Sequence, residues 1–289
     1  MKGSSRHIFN IYHPAVNMLY ISAALLFLML SFHPVYLGIS LMCGSIYSIY
    51  LNGFDSFKRT FLFTFIIFTF VAVINPLFNH QGTTLLFYAL GNPVTLESVA
   101  FGIASGCMLA SMFIWFTCYN AIMTNEKFLY LFGKPLPAAA LMISMITRLI
   151  PVTRYRLKGI LDSQKAMGMP VKTIKQKISL GVRVSSILMS WTMENSIETA
   201  DSMKARGYGS GKRSSFSVFR WNLHDTYSFF VILFLISITG YAMIRGRFSY
   251  FPVLDTHITG PLDIAGYLIY MLLLLYPLIL ESRESIRWK

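Results

Sequence analysis

The chain has 289 residues, 55% of them apolar and only 13% charged, with a formal charge of +13 and a mean hydropathy of +0.56. So much apolar residue with so little charge excludes an ordinary soluble domain, and the apolar residues come in long uncharged runs of the kind that cross bilayers. The positive excess reads as Lys and Arg retained on the cytoplasmic side of a membrane, not as a nucleic-acid surface.

Residues 1–14 carry Lys2 and Arg6 ahead of an uncharged run, 15–32. The outline is that of a signal peptide, but no small-x-small cleavage site follows; the next residues are His33-Pro34. The expectation is therefore an uncleaved first span and a tight turn. Residues 35–51 return as the second span. A short loop, 52–60, bears Lys58 and Arg59, and 61–78, rich in Phe and Ile, is the third span. Residues 79–98 contain no Lys or Arg and hold Gly82, Gly91 and Pro93, so they are expected to form an exterior loop with a short interfacial helix. Residues 99–123 make the fourth span, with Gly102 and Gly106 spaced to form a close packing seam.

Residues 124–223 differ in kind. Their longest uncharged stretches, 135–147 and 184–193, are too short to cross about 30 Å of hydrocarbon. Residues 224–244 form a fifth span, an exterior loop runs to Asp263, 264–280 form a sixth, and the tail 281–289 is of mixed charge. The expected organisation is a four-span N-terminal membrane region (1–123), a cytoplasmic segment (124–223) and a two-span C-terminal membrane region (224–289). The predicted fold class is an all-α polytopic membrane protein. With six spans both termini share one side, and that side takes every Lys and Arg except Arg245 and Arg247. The positive-inside rule then places both termini and the long segment in the cytoplasm, for a multi-pass protein of the cell membrane.

None of the expected spans has an ionisable residue near its centre; Asp225, Asp263 and Glu281 sit at the ends. That argues against an ion-coupled carrier, a channel or an intramembrane hydrolase. Cys43, Cys107 and Cys118 lie inside apolar runs without a CxxC pair and read as buried thiols. His7, His13, His33, His80, His224 and His257 are scattered without ligand spacing, so no metal site is expected. The run from Gly207 to Lys212 has the look of a phosphate-binding loop. It fails on count, since the required first Gly would fall on Arg206.

Within the cytoplasmic segment, 151–166 and 171–205 read as helices separated by 167–170. Pro151 fits a first helical turn. Gly168 followed by Pro170 is a C-terminal stop, and Gly207 ends the second helix in the same way. Ile174, Ile178 and Val182 recur at four-residue steps, while Lys172, Lys175, Lys177 and Arg183 fall largely off that stripe. A helix of this pattern suits the inner leaflet. Glu194, Glu198 and Asp201 form an acidic stripe, expected to pair internally with Arg148 or Arg154; contact with a partner protein is the alternative. Arg206 sits on the last turn of the second helix between Ala205, which allows close approach, and the Gly207 stop. Its guanidinium offers a planar fork of donors to carboxylates or carbonyls.

The stretch Asp201-Ser202-Met203-Lys204-Ala205-Arg206-Gly207-Tyr208-Gly209, with Arg213 downstream, resembles a signature of the transmembrane T component of energy-coupling factor (ECF) transporters. Members of that family carry two Ala-Arg-Gly triplets at the ends of two cytoplasmic coupling helices. Arg148, Pro151, Asp162, Gln164, Ala166 and Gly168 match the first signature in spacing, with Met167 standing where the family has arginine. The flanking spans match in layout, including the His13-Pro14 opening. The resemblance implies a prokaryotic coupling subunit with no catalysis and no cofactor of its own. Its two helix tips (Ala166, Met167, Gly168 and Ala205, Arg206, Gly207) would dock on two ABC-type ATPase subunits that bind the ATP. Arg148, Pro151, Gln164, Glu194 and Asp201 would support them. A small substrate-binding membrane subunit would take up a vitamin or a transition-metal ion such as cobalt. Because a thioether cannot make a charge-assisted fork contact, the Arg206 tip is expected to be the stronger anchor. Two other readings compete. One is a conventional ABC permease with its own substrate path; the other is an inner-leaflet membrane enzyme built around His224-Asp225.

Overall fold

The computed structural model describes residues 12–79, 81–89, 92–133, 135–168, 173–211, 219–245, 250–251 and 260–287. Among them are nine helices and one two-stranded hairpin. Five helices are long and apolar enough to cross a membrane: α2 (Pro34–Asn52), α3 (Phe54–Phe78), α4 (Leu96–Ile122), α8 (Leu223–Arg245) and the part of α9 (Pro261–Arg287) covering Asp263–Ser282. The expected first span, α1 (Pro14–Leu30), is apolar but has only 17 residues, at the lower limit for crossing hydrocarbon. The chain divides into two compact units, Met1–Phe128 with Phe219–Lys289, and Leu129–Val218.

In the first unit, α1 and α2 start alike. His13 and His33 each precede a proline at the first helical position and accept through Nδ1 from the second backbone N–H, Ala15 and Val35, both at 3.2 Å. This satisfies one of the orphan donors that every helix start leaves. The core lies between α1, α2, α4 and α9. Tyr20, Tyr47, Trp115 and Tyr270 are its largest fully buried side chains. Two of them are hydrogen-bonded inside it: Tyr20 donates to the Leu274 carbonyl at 2.7 Å and Trp115 Nε1 to Ser40 Oγ at 3.0 Å. Gly102 and Gly106 form the seam between α4 and α3. A Cβ at Gly102 would lie 3.1 Å from the Ala72 carbonyl oxygen, and one at Gly106 would lie 3.0 Å from that of Phe68.

Four expectations are corrected. The 52–60 loop is not a loop. Gly53 alone, at φ +76°, ends α2 and starts α3, so Lys58 and Arg59 lie on the first turns of α3. The 79–98 segment holds a hairpin in place of an interfacial helix, with β1 (Leu85–Ala89) antiparallel to β2 (Asn92–Thr95). The cause is an apolar run next to a buried carboxylate. Glu97, on the first turn of α4, accepts from the Thr84 N–H (3.3 Å), Thr84 Oγ1 (2.7 Å) and Thr83 Oγ1 (3.3 Å), which pins the hairpin to the helix. Third, the helix of the sixth span does not stop at residue 280: α9 continues to Arg287 and takes in Glu281, which is buried.

The fourth correction concerns Pro151, which does not start a helix. It lies inside α6 (Pro137–Ala166), whose proline-led start is Pro137. A proline costs an interior helix one hydrogen bond and crowds the carbonyl four residues back, yet α6 runs through it unbroken from Pro137 to Ala166. Before it, α5 (Asn125–Gly133) is a short helix. After it, α7 (Ile174–Ala205) begins at Thr173, whose N–H donates to Gln176 Oε1 at 3.0 Å, one half of a capping box. Gly91, Met169, Pro170, Val171, Lys172, Arg213 and Arg247 lie outside the described residues, as do His7, His80 and His257.

Candidate partner-docking site

The sequence places its two candidate triplets where α6 and α7 stop, and the backbone treats them alike. At the end of α7, Arg206 is the cap residue and Gly207 takes the left-handed conformation at φ +78°. The Gly207 N–H donates to the Lys204 carbonyl at 2.9 Å, and the Tyr208 N–H reaches back to Met203 at 3.0 Å. Those two bonds are a Schellman motif, which satisfies carbonyls the helix end would otherwise orphan. At the end of α6, Met167 is the cap residue and Gly168 is left-handed at φ +70°, with its N–H on the Lys165 carbonyl at 3.0 Å. A side chain at either glycine would be strained whatever the space.

Both tips are open. Ala166, Met167, Gly168, Ala205, Arg206 and Gly207 are all exposed, Met167 at 64%. The supporting residues are not gathered around them. Arg148 and Pro151 are exposed on α6, far from its tip by about 1.5 Å per residue. Gln164 is the buried residue of α6, and its Oε1 has no hydrogen-bond partner among the described residues. Glu194, Glu198 and Asp201 are exposed along α7. Their expected pairing with Arg148 or Arg154 is not found: among the described residues, the ion pair within this unit is Asp162 with Lys165, at 3.8 Å and exposed.

What joins the two long helices is a contact that no spacing in the sequence announces. Arg156 of α6 lies over the Trp191 ring of α7, 5.0 Å from its centroid. Val184 is the buried residue of α7. Two helices of 30 and 32 residues thus bury little against anything in their own unit. Met142, Ile146 and Tyr155 on α6, and Ile174, Met189, Met193 and Ile197 on α7, are each more than half exposed. In a membrane protein, apolar surface of that extent is covered by lipid or by another protein.

The His224-Asp225 pair is arranged for structure. Asp225 is buried; its Oδ1 accepts from the His13 N–H at 3.0 Å and its Oδ2 from the Asn222 N–H at 2.9 Å. The His13 ring packs edge-on against Trp221 at 4.6 Å, while His224 is exposed. The carboxylate therefore ties the entrance of α1 to the start of α8. Among the described residues there is no cluster of His, Cys, Asp and Glu able to hold a metal, and the three cysteines are free thiols.

These helices define an all-α, multi-pass membrane protein. Its sequence is similar to the energy-coupling factor transporter transmembrane protein EcfT of Listeria innocua serovar 6a, with 28% identity over 171 residues. The matched region covers 53% of this chain and 63% of that relative's length. That relative supports the resemblance to an ECF transporter T component across about half of the chain. No family model matches the sequence.

Proposed function

We propose that this chain is the transmembrane coupling subunit of an ECF-type ABC importer, with both termini and the 124–223 segment on the cytoplasmic side. The tips at Met167 and Arg206 dock on two ATPase subunits, which bind and hydrolyse ATP; the chain itself is not an enzyme. The exposed apolar residues of α6 and of the second half of α7 carry the resulting motion to a small substrate-binding membrane subunit, which selects a vitamin or a metal ion. The observation that carries this reading is the pair of like-built, exposed tips on two long helices with scarcely any core of their own.

The test is to tag the natural chain in its own membrane, extract it in mild detergent and identify what accompanies it. Two ABC-type ATPases and one small membrane subunit are expected, and the small subunit would name the substrate class. An extract in which no ATPase follows the chain through several mild detergents contradicts the reading. Transport reconstituted from this chain and the ATPases alone would favour the conventional permease.

A further inference from the structure

We infer that the first half of α7 is an anionic-phospholipid contact, separate from the docking tip at its other end. Ile174, Ile178 and Val182 are exposed at 75%, 63% and 66%. At four-residue steps they occupy an arc of about 80° of the helix surface. Lys175 stands at one edge of that arc, about 100° from Ile174, and Lys177 at the other, about 60° away; both are exposed. The arc faces away from Val184, the buried residue of α7, and from Trp191, which meets Arg156.

Charge selects the occupant. From Thr173 to Met193 the chain contains no acidic residue, whereas Glu194, Glu198 and Asp201 follow within the next turns. The sign of the helix therefore changes along its length. A narrow apolar arc edged by lysines matches a bilayer interface: the arc enters the boundary between headgroups and acyl chains, and the lysine stems run along it to place their ammonium groups among phosphates. Each lysine near an anionic surface adds about fivefold to the attraction. The acidic half lacks that complement and is left to a protein partner. The inference rests on the proposed cytoplasmic side of this segment and not on the ATPases.

The test uses the full chain with Cys43, Cys107 and Cys118 replaced, carrying a single spin label at Ile178→Cys or, as a reference off the arc, at Ser190→Cys. Nanodiscs of phosphatidylcholine alone are compared with discs also containing phosphatidylglycerol. Collisions with oxygen, which partitions into hydrocarbon, are compared with those of a water-soluble nickel chelate. In anionic discs the label at 178 is expected to favour oxygen and the label at 190 nickel. High salt, or the double change Lys175→Glu with Lys177→Glu, should return position 178 to water. The salt arm needs no substitution at the lysines and guards against misfolding of the double variant. The inference is overturned if position 178 stays open to nickel in anionic discs. It is equally overturned if that position is shielded alike in detergent and in both discs, or only when a co-purified membrane subunit is added. Absence of ATPases from a purification leaves this readout untouched.

Discussion

Arg206 and Met167 occupy equivalent backbone positions, each the cap residue before a left-handed glycine. They differ in what they can offer a partner, a fork of charged donors against a polarisable thioether. Asp225 shows the same economy elsewhere, one carboxylate satisfying two backbone donors from distant parts of the chain. Asp225→Ala leaves both donors unpaired and should cost about 1–3 kcal/mol in thermal unfolding of the detergent-solubilised chain. Asp225→Asn keeps one acceptor and should cost less. Lys127 is buried, and its Nζ donates to the Ile122 carbonyl at the end of α4, at 3.1 Å. Burial pushes its ammonium down to about 8. The unfolded chain then binds the extra proton between about pH 8 and the ordinary lysine value of about 10.4. Stability should rise with pH across that window and be least affected below it. The melting temperature should show that rise in the natural chain and lose it in Lys127→Met.

At the scale of elements, the seam between α3 and α4 depends on two glycines whose neighbours are backbone oxygens, which cannot swing aside. Gly106→Val should therefore cost about 1–3 kcal/mol. Gly38→Ala, where nothing lies within 4 Å, should be neutral or slightly stabilising; both are read from unfolding in detergent. The spacing of Gly102 and Gly106 made that seam legible in the sequence, as the apolar runs did for α2, α4 and α8. The misread elements are those where a local rule lost to its surroundings. Asn52-Gly53 and the two cations after it read as a loop, yet one left-handed residue is enough to turn the chain. Pro151 has the signature of a helix start, yet the helix that holds it starts fourteen residues earlier, at another proline, Pro137. The hairpin depends on Glu97 meeting Thr83 and Thr84 from the next helix, and the Arg156–Trp191 contact joins two helices. Neither leaves a periodic trace.

At the scale of the molecule, the membrane character follows from uncharged runs, and the proposed sidedness from where Lys and Arg fall. Membrane-impermeant maleimide on a chain without its native cysteines checks the second. Thr83→Cys should be labelled in intact cells, and Ser202→Cys only after lysis. The candidate site was legible as two glycine-stopped tips. That the long helices above them lack a core was not, because amphipathic periodicity shows an apolar face without showing what covers it. The most direct test of the docking account reconstitutes the chain in nanodiscs and measures binding of its co-purifying ATPases. Arg206→Ala should weaken that binding by roughly 30-fold or more, about 2 kcal/mol for a truncated charge-assisted contact. Met167→Ala should weaken it by less than Arg206→Ala does, because a thioether makes no charge-assisted contact. Equal losses at the two tips would contradict the predicted asymmetry, and unchanged binding in Arg206→Glu would contradict docking at this tip.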